Sequence, residues 1–421
     1  PSTLMDGDLL IKGNGASKRL SCGVTIEGIG SDTTFNGFGL RIANASNVEV
    51  RNIGFMNCNS GEGDDVGLQQ NNDHVWVHHC DMFYGDAGSD SDQAKGDGAL
   101  DTKTSSYITH SYNHFWDNGK CNLQGMKSES TENYITYHHN WYDHSDSRHP
   151  RIRTCTVHSY NNYFDGNAKY GVGVTMGSSC FVENNYFRNC PKPMMSSKQG
   201  TDALGEGTFS GEDGGIIKSY GNVMDNSSVS LSYIKYQDNS SSFDAYEASS
   251  RSESVPSSVK TLSGGTTYNN FDTANSMYSY TPDAAADVPS IVTANAGRVD
   301  GGDFKWTFDN SVDDTSYAVN TALKSALVAY DDSIVAIGSG FKEDSGDAPV
   351  VVTTAAPVVT AAPTVTTASG GGSTVTPVAG DYVHNFTENG TSSSFYTISG
   401  NLSTAKGTVS YNGLTLTQCL K

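Results

Sequence analysis

A cluster of three arginines is the most unusual chemical feature of the sequence. Arg148, Arg151 and Arg153 lie within the seven residues SRHPRIR, in a chain of 421 residues that carries 26 Lys and Arg against 46 Asp and Glu, a formal net charge of −20. Guanidinium groups bind carboxylates and phosphates through paired hydrogen bonds. The acidic total argues against nucleic acid or an anionic membrane as the partner of the whole surface. The cluster is therefore either a set of solvated surface charges or a site for an anionic ligand.

Two groups of acidic residues precede the arginines. GEGDDVGL supplies Asp64 and Asp65 ahead of one predicted strand, and GDGALD supplies Asp97 and Asp101 ahead of the next. At the same phase of a parallel stack, such side chains lie one strand spacing apart, about 4.8 Å. Carboxylates that close repel one another unless a cation lies between them, and an all-oxygen ligand set suits Ca²⁺. The alternative is that each Asp-Gly pair only marks a turn.

One further cation, Lys120 in NGKCNLQG, lies between the acidic groups and the arginines. Successive repeats would then place calcium-type carboxylates beside a cationic patch. A polymer that carries carboxylates at regular intervals would be bound by both, because its carboxylates can bridge to Ca²⁺ and pair with arginine. The pattern therefore indicates a polyanionic substrate.

The elements that must position these residues follow from an internal repeat. A β-branched or aromatic run is followed by Asn or Asp, any residue and a large aromatic, at steps of 32, 27, 22 and 23 residues. This spacing, with strand-type residues and no helical period, predicts a β-solenoid in which equivalent side chains stack. An ordinary β-sandwich is the alternative, but sandwiches do not repeat one tag at one phase. The Asn/Asp positions of the repeat are Asp81, Asn113, Asn140, Asn162 and Asn185.

The chain divides into three predicted segments. Residues 1–345 hold the repeats and one amphipathic helix in SYAVNTALKSALVAY, which we expect to pack on the outside of the solenoid or to cap its C-terminal end. Residues 346–380 are rich in Pro, Thr, Val and Gly and predict an extended, disordered linker, of a composition common in secreted enzymes. Residues 381–421 alternate like strands and predict a truncated β module. No apolar run approaches the ~20 residues that span a bilayer.

Four motifs together resemble a known family. VWVHHCDMF, DGALDTK, NYITYHHNWYD and RHPRIR followed by VHSYNNYF, in this order, are similar to the pectate lyases of polysaccharide lyase family 1. The resemblance is clear over residues 23–198 and looser to about 341. It implies an all-β, right-handed parallel β-helix with peripheral loops. It also implies a secreted, monomeric enzyme that cleaves polygalacturonate, which is de-esterified pectin, by β-elimination with Ca²⁺.

The resemblance also implies roles for individual residues. Asp64 could be an additional or indirect calcium ligand, and Arg151 receives no role. The remaining roles are calcium binding by Asp65, Asp97 and Asp101, proton abstraction by Arg148, and binding of substrate carboxylates by Lys120 and Arg153.

The choice of base is where the residues and the resemblance differ. Because arginine is almost always protonated, chemistry alone favours Lys120 as base and Arg148 as an electrostatic stabiliser. The resemblance favours Arg148, which would then act as a neutral guanidine at alkaline pH. The chain also departs from the family pattern, with His78 in place of an Asp, NGK in place of HDK, and LQG in place of LIG.

Two other function classes fit parts of the sequence. A polygalacturonase-like hydrolase would share the solenoid, but its NTD and GHG motifs are absent from the sequence. A β-helical adhesin or carbohydrate-binding solenoid would explain the repeats but not the order of acidic and cationic groups. An unsaturated, ultraviolet-absorbing product would distinguish a lyase from both.

Overall fold

The structure is a computed structural model of the chain. It describes residues 8–13, 23–86, 93–127, 129, 133–204, 209–274 and 277–330, together with the backbone of four short strands between 402 and 420. The chain forms two compact units, 1–332 and 333–421. The predicted linker, 346–380, lies outside the described residues.

The first unit is a coil of short strands that form three parallel sheets, so the predicted solenoid is confirmed. Each turn of the coil, or rung, passes through the first, second and third sheet in that order. This is the arrangement of a right-handed parallel β-helix. The first sheet contains β1 (Leu9–Lys12), β4 (Leu40–Ala43), β7 (Val66–Gln69), β10 (Leu100–Thr102), β13 (Leu123–Gln124), β16 (Arg151–Arg153), β19 (Val172–Thr175) and β22 (Met194–Ser196).

The other two sheets complete each rung. The second sheet contains β2 (Val24–Glu27), β5 (Ser46–Arg51), β8 (Asn72–His78), β11 (Ser105–Ser111), β14 (Ile135–His138), β17 (Thr156–Tyr160), β20 (Ser179–Glu183), β23 (Ile216–Tyr220) and β25 (Tyr246–Glu247). The third sheet contains β3 (Thr34–Asn36), β6 (Gly54–Met56), β9 (Asp81–Met82), β12 (His114–Trp116), β15 (Trp141–Asp143), β18 (Tyr163–Asp165), β21 (Tyr186–Arg188) and β24 (Val223–Asp225).

Equivalent residues stack along the coil axis, as the repeat predicts. Phe164 lies on Phe187 with ring centroids 4.2 Å apart, inside a continuous core of buried aliphatic and aromatic side chains. At the bend between the second and third sheets, each Asn side chain donates to the next at 3.0–3.1 Å, so polar groups that the turn buries are paired. This ladder contains Asn113, Asn140, Asn162, Asn185 and Asn222.

The first member of the predicted repeat is out of register by one residue. Cys80 donates its N–H to the Asn113 side chain, and Met82 pairs with Phe115. Asp81 therefore lies outside the ladder, where its carboxylate binds Arg298 at 2.8 Å. The strand pattern alone does not resolve this step, because the neighbouring side chains at 80–84 are all buried.

The helices are short and lie outside the coil. They are α1 (Gly200–Leu204), α2 (Val288–Asn295), α3 (Asn310–Asp313) and α4 (Thr321–Val328), with 3₁₀ turns at Ala285–Asp287 and Val299–Gly301. α4 corresponds to the predicted amphipathic helix and is capped by Asn320, whose side chain accepts from the Leu323 N–H at 3.0 Å. Leu323 and Leu327 pack against Phe83 and Trp116 on the third sheet, so the helix covers the outside of the coil.

Backbone pairing also appears in the second unit. β26 (Leu402–Ser403) is antiparallel to β29 (Cys419–Leu420), and β27 (Val409–Tyr411) is antiparallel to β28 (Leu414–Leu416). These pairs agree with the strand-like alternation of residues 381–421. Within the described part of the chain, no helix is long and apolar enough to span a membrane.

Candidate functional site

Three carboxylates meet where the first sheet begins on successive rungs. Asp64 precedes β7, whereas Asp97 and Asp101 flank the start of β10. Asp64 Oδ1 accepts the Gly98 N–H at 3.1 Å, and Asp101 Oδ1 accepts the Leu123 N–H at 2.8 Å. Gly98 is required between them, because a Cβ at this position would collide with the Asp101 carboxylate.

Burial and like charge both act on this acidic group. Burial, together with the charges of Asp101 and Asp97, raises the pKa of Asp64 well above its ordinary value against the opposing charge of Lys103. Asp64 Oδ2 is buried and has no hydrogen-bond partner in the described chain. Lys103 Nζ lies 3.5 Å from Asp64, 3.8 Å from Asp101 and 3.3 Å from Glu62. Three carboxylates therefore surround the ammonium of Lys103 at 3.3–3.8 Å.

Asp65, which we predicted as a calcium ligand, lies in a different charge environment from its neighbour. Burial and the charges of Asp64 and Asp8 raise the pKa of Asp65. Asp97 and Asp101, by contrast, act on Asp64. Asp64 thus shares its electrostatic environment with Asp97 and Asp101, whereas Asp65 shares its environment with Asp64 and Asp8.

Lys120 and Arg148 follow on the next two rungs. Lys120 pairs with Gly98 across the first sheet, and its Nζ lies 3.3 Å from Asp97 Oδ1. The backbone carbonyl of Arg148 accepts from Asn122 at 2.7 Å. Burial raises the pKa of Asp101, while the charges of Lys103 and Arg148 oppose the shift, so Arg148 faces the acidic group. Lys120 therefore lies beside Asp97, and the charge of Arg148 acts on Asp101.

A glutamate that the sequence analysis missed binds two of the three arginines. Glu212 Oε2 accepts from Arg151 at 3.1 Å and from Arg153 at 3.0 Å, and Lys127 lies 3.3 Å from Oε1. Although burial alone would raise it, the hydrogen bond and charge of Arg153, with help from Lys127 and Arg151, lower the pKa of Glu212 to about 2. No local pattern indicates this residue, because it follows Arg153 by 59 positions.

Arg148 has no such carboxylate partner. Its half-buried side chain makes no hydrogen bond or ion pair with any residue that the structure describes. Of the three arginines, it is the one whose guanidinium is not already held by a glutamate. Lys103, which directly follows β10, was also missed, although its position two residues after Asp101 is a period-two signal.

The acidic group fits a calcium ion only in part. No three Asp, Glu, His or Cys side chains of the described residues are arranged to hold a metal by themselves. However, Asp64 Oδ2, which has only Lys103 at 3.5 Å, and the neighbouring Asp65 Oδ1 are both buried without a hydrogen-bond partner in the described chain. An all-oxygen cation site would resolve this and the mutual repulsion of three carboxylates. The acidic group could therefore take a calcium ion only if water or substrate supplied further ligands.

The fold and this site define a parallel β-helix protein with adjacent acidic and cationic side chains at its first sheet. The family model for pectate lyase matches residues 14–300, more than half of the sequence. The chain belongs to the pectate lyase family. A second family model, carbohydrate binding module 77, matches residues 380–421.

Individual relatives agree with this assignment. The chain is 34% identical over 177 residues to the pectate trisaccharide-lyase of Bacillus licheniformis, covering 41% of this chain and 50% of that protein. It is 33% identical over 192 residues to pectate lyase B of Dickeya chrysanthemi, covering 44% and 50%. The chain thus spans about half the length of these curated relatives.

Solved structures support the fold. A pectate lyase from a Bacillus species in complex with trigalacturonate superposes with a TM-score of 0.50 at 25% identity, covering 70% of this chain and 83% of that one. A variant pectate lyase from Xanthomonas campestris gives 0.50 at 27% identity, covering 69% and 78%. The predicted family resemblance is confirmed.

Proposed function

We propose that the protein is a calcium-dependent pectate lyase that cleaves de-esterified polygalacturonate by β-elimination. Family membership and the names of the relatives support the reaction class. The observation that carries the proposal is the unpaired Arg148 beside Asp101, with Lys120 on the intervening rung. The trigalacturonate complex of the Bacillus protein supports the same substrate class.

Calcium binding is assigned to the acidic group. Asp64, Asp97 and Asp101 would hold the ion, and Asp65, which the sequence analysis favoured, remains the alternative to Asp64. When bound, Ca²⁺ withdraws charge from the substrate carboxylate and so acidifies the neighbouring C5 proton. Lys103, between Asp64 and Asp101, would have to move or to share the site with the ion.

The residues of the chain bind the substrate and move the proton. Lys120 and Arg153 bind uronate carboxylates, and Arg153 can do so while Glu212 fixes its orientation. Arg148 removes the proton from C5. The electron pair of the C5–H bond forms the C4–C5 double bond, the C4–O bond breaks, and the departing oxygen takes a proton from solvent. Cationic side chains stabilise the negative charge that develops on the uronate.

The environment of Arg148 supports its role as base. The guanidinium groups of Arg151 and Arg153 already donate to Glu212. Arg148 has no carboxylate partner within the described residues, so its guanidine is the one of the three that can turn to a substrate proton. Because Arg148 must lose a proton before it can act, activity should rise toward alkaline pH.

The remaining assignments concern the whole chain. We propose a lyase domain over 1–345, a linker over 346–380 and a β module over 381–421, and the match to a carbohydrate-binding module supports the last of these. We further propose that the enzyme is secreted and acts as a monomer. The resemblance supports both properties, and the linker composition supports secretion.

An ultraviolet assay on polygalacturonate tests the function. We expect absorbance from the unsaturated product with Ca²⁺, loss of the signal with EGTA, and recovery when Ca²⁺ is restored in excess. Reducing ends without ultraviolet absorbance would instead indicate a hydrolase, and binding without product would indicate a non-catalytic solenoid. The Arg148→Lys variant serves as the matched inactive control.

A further inference from the structure

A pocket of 330 Å³ lies on the outer face of the third sheet, whereas the acidic and cationic residues lie on the first. Its walls come from β12, β15 and β18 and from the segment 293–310. Three of the four tryptophans of the chain line it, together with Phe308. We call it the tryptophan pocket, and its tryptophans are Trp116, Trp141 and Trp306.

Two of these indoles form a fixed wall. His114 stacks between Trp116, at a centroid distance of 3.9 Å, and Trp141, at 4.1 Å. The Trp116 N–H donates to Asp81 at 3.2 Å, and the Trp141 N–H donates to Asp165 at 3.1 Å. Because both rings are stacked and hydrogen-bonded, this side of the pocket is preorganised.

The charged groups behind the wall pair with one another. Asp143 binds His114 at 2.9 Å and His144 at 2.6 Å, and Asp165 binds Arg188. Burial would lower the pKa of His144, but hydrogen bonds, chiefly from Asp143, raise it to about 10, so the imidazole is cationic at neutral pH. The pocket therefore offers no unpaired cation that would bind a uronate carboxylate.

Trp306 differs from the other two tryptophans. Its ring stacks on no other aromatic ring of the described chain, whereas both Trp116 and Trp141 do. Its Nε1 is buried and has no hydrogen-bond partner in the described residues. A buried N–H without a partner is costly, and natural sites usually satisfy it with a ligand or water. Trp306 thus packs against the cluster that contains Trp116, but its indole N–H remains an unused donor.

We propose that the tryptophan pocket binds one or two rings of a neutral sugar. A sugar ring has an apolar face that packs on an indole and hydroxyl oxygens that accept from an indole N–H. The volume is in the range of small-molecule sites. The paired charges disfavour a uronate, so this site is distinct in chemistry from the groove on the first sheet. The inference does not depend on the proposed lyase activity.

The neutral sugar could be a branch of the acidic polymer or part of a separate glycan. Calorimetric titration of the full chain in EGTA with galactotriose, arabinotriose and trigalacturonate tests the proposal. We expect a neutral trisaccharide to bind, and Trp306→Phe, which keeps a ring but removes the N–H, to weaken this binding about two- to tenfold. Trp76→Phe is the matched control, because Trp76 lies on the second sheet outside the pocket.

A second variant covers the case in which Trp306→Phe does not fold. Thr307→Leu changes an exposed residue that lines the pocket and should also weaken binding. The proposal is overturned if neither neutral trisaccharide binds, if the pocket variants bind as tightly as the Trp76 variant, or if trigalacturonate binds in the same Trp306-dependent way. If Trp306→Phe weakens cleavage of branched but not of linear pectate, the neutral sugar is a branch of the substrate. If it weakens trisaccharide binding and leaves cleavage of both unchanged, the sugar belongs to a separate glycan.

Discussion

Replacement of Asp64 by asparagine tests which of two adjacent aspartates contributes to the calcium site. Asn keeps the size of the side chain and an oxygen that can accept the Gly98 N–H, but it removes the negative charge. Asp65→Asn is a matched control one residue away, in a side chain that is equally buried. The structure predicts that only Asp64→Asn changes the response to calcium, because Asp64 lies with Asp97 and Asp101.

The expected magnitudes follow from the environment of each carboxylate. The pKa values of both carboxyl groups are raised in the folded protein. At any pH above the pKa that these groups have in the unfolded chain, their charged forms therefore destabilise the calcium-free protein. Replacement by a neutral Asn should raise its stability. Each pKa unit corresponds to about 1.4 kcal/mol. Changes in residues that only support metal ligands cost about 10–100-fold in affinity, so loss of a ligand should cost at least about tenfold. At a calcium concentration of 100 Kd, the stabilisation by calcium would then fall from about 2.7 to about 1.4 kcal/mol.

Thermal unfolding with and without Ca²⁺ measures both effects. We expect each variant to unfold at a higher temperature than the parent in EGTA. We expect the calcium-induced shift to be roughly halved in Asp64→Asn and preserved in Asp65→Asn, and the calcium needed for half-maximal ultraviolet activity to rise only in the former. If Asp65→Asn loses the calcium response and Asp64→Asn keeps it, the assignment drawn from the structure is wrong.

Three further predictions concern other residues. Arg148→Lys should lower kcat by about 10²–10⁴ with KM within about threefold, whereas Arg151→Lys should retain most turnover; equal losses in initial rates would remove the special role of Arg148. Lys95→Met leaves two buried carboxylates, which lie 2.6 and 2.7 Å from its Nζ, without a cation, and should cost about 3–5 kcal/mol in urea unfolding; a loss below ~1 kcal/mol would contradict this. The Glu212 pKa of about 2 lies below its ordinary value of 4.5, so its stabilisation is present above pH 4.5 and lost toward pH 2. Glu212→Gln should therefore cost about 1 kcal/mol at pH 7 and flatten the acid limb of the stability curve, and an unchanged limb would argue against these ion pairs.

The coil itself could be predicted from the sequence because a parallel stack makes its own pattern. Each rung must bury the same kinds of side chain above the last, so Asn140, Asn162 and Asn185 recur at one phase, as do Phe164 and Phe187. The one error in register, at Asp81, came where buried residues follow one another without alternation. The order of the motifs likewise placed Asp97, Lys120 and Arg148 on neighbouring rungs.

The tertiary structure decided which of the candidate side chains share an environment. Spacing could not separate Asp64 from Asp65, because two consecutive residues at a strand entry differ only in the direction that the turn gives them. Nor could it indicate that Glu212 pairs with Arg151 and Arg153, since the segment that carries it returns to the first sheet from the far end of the coil. The sequence by itself determined the stacked coil and the rungs that carry charge, because both depend on local periodicity. The charge partners depend on non-periodic connections, and these are fixed only when the whole chain packs.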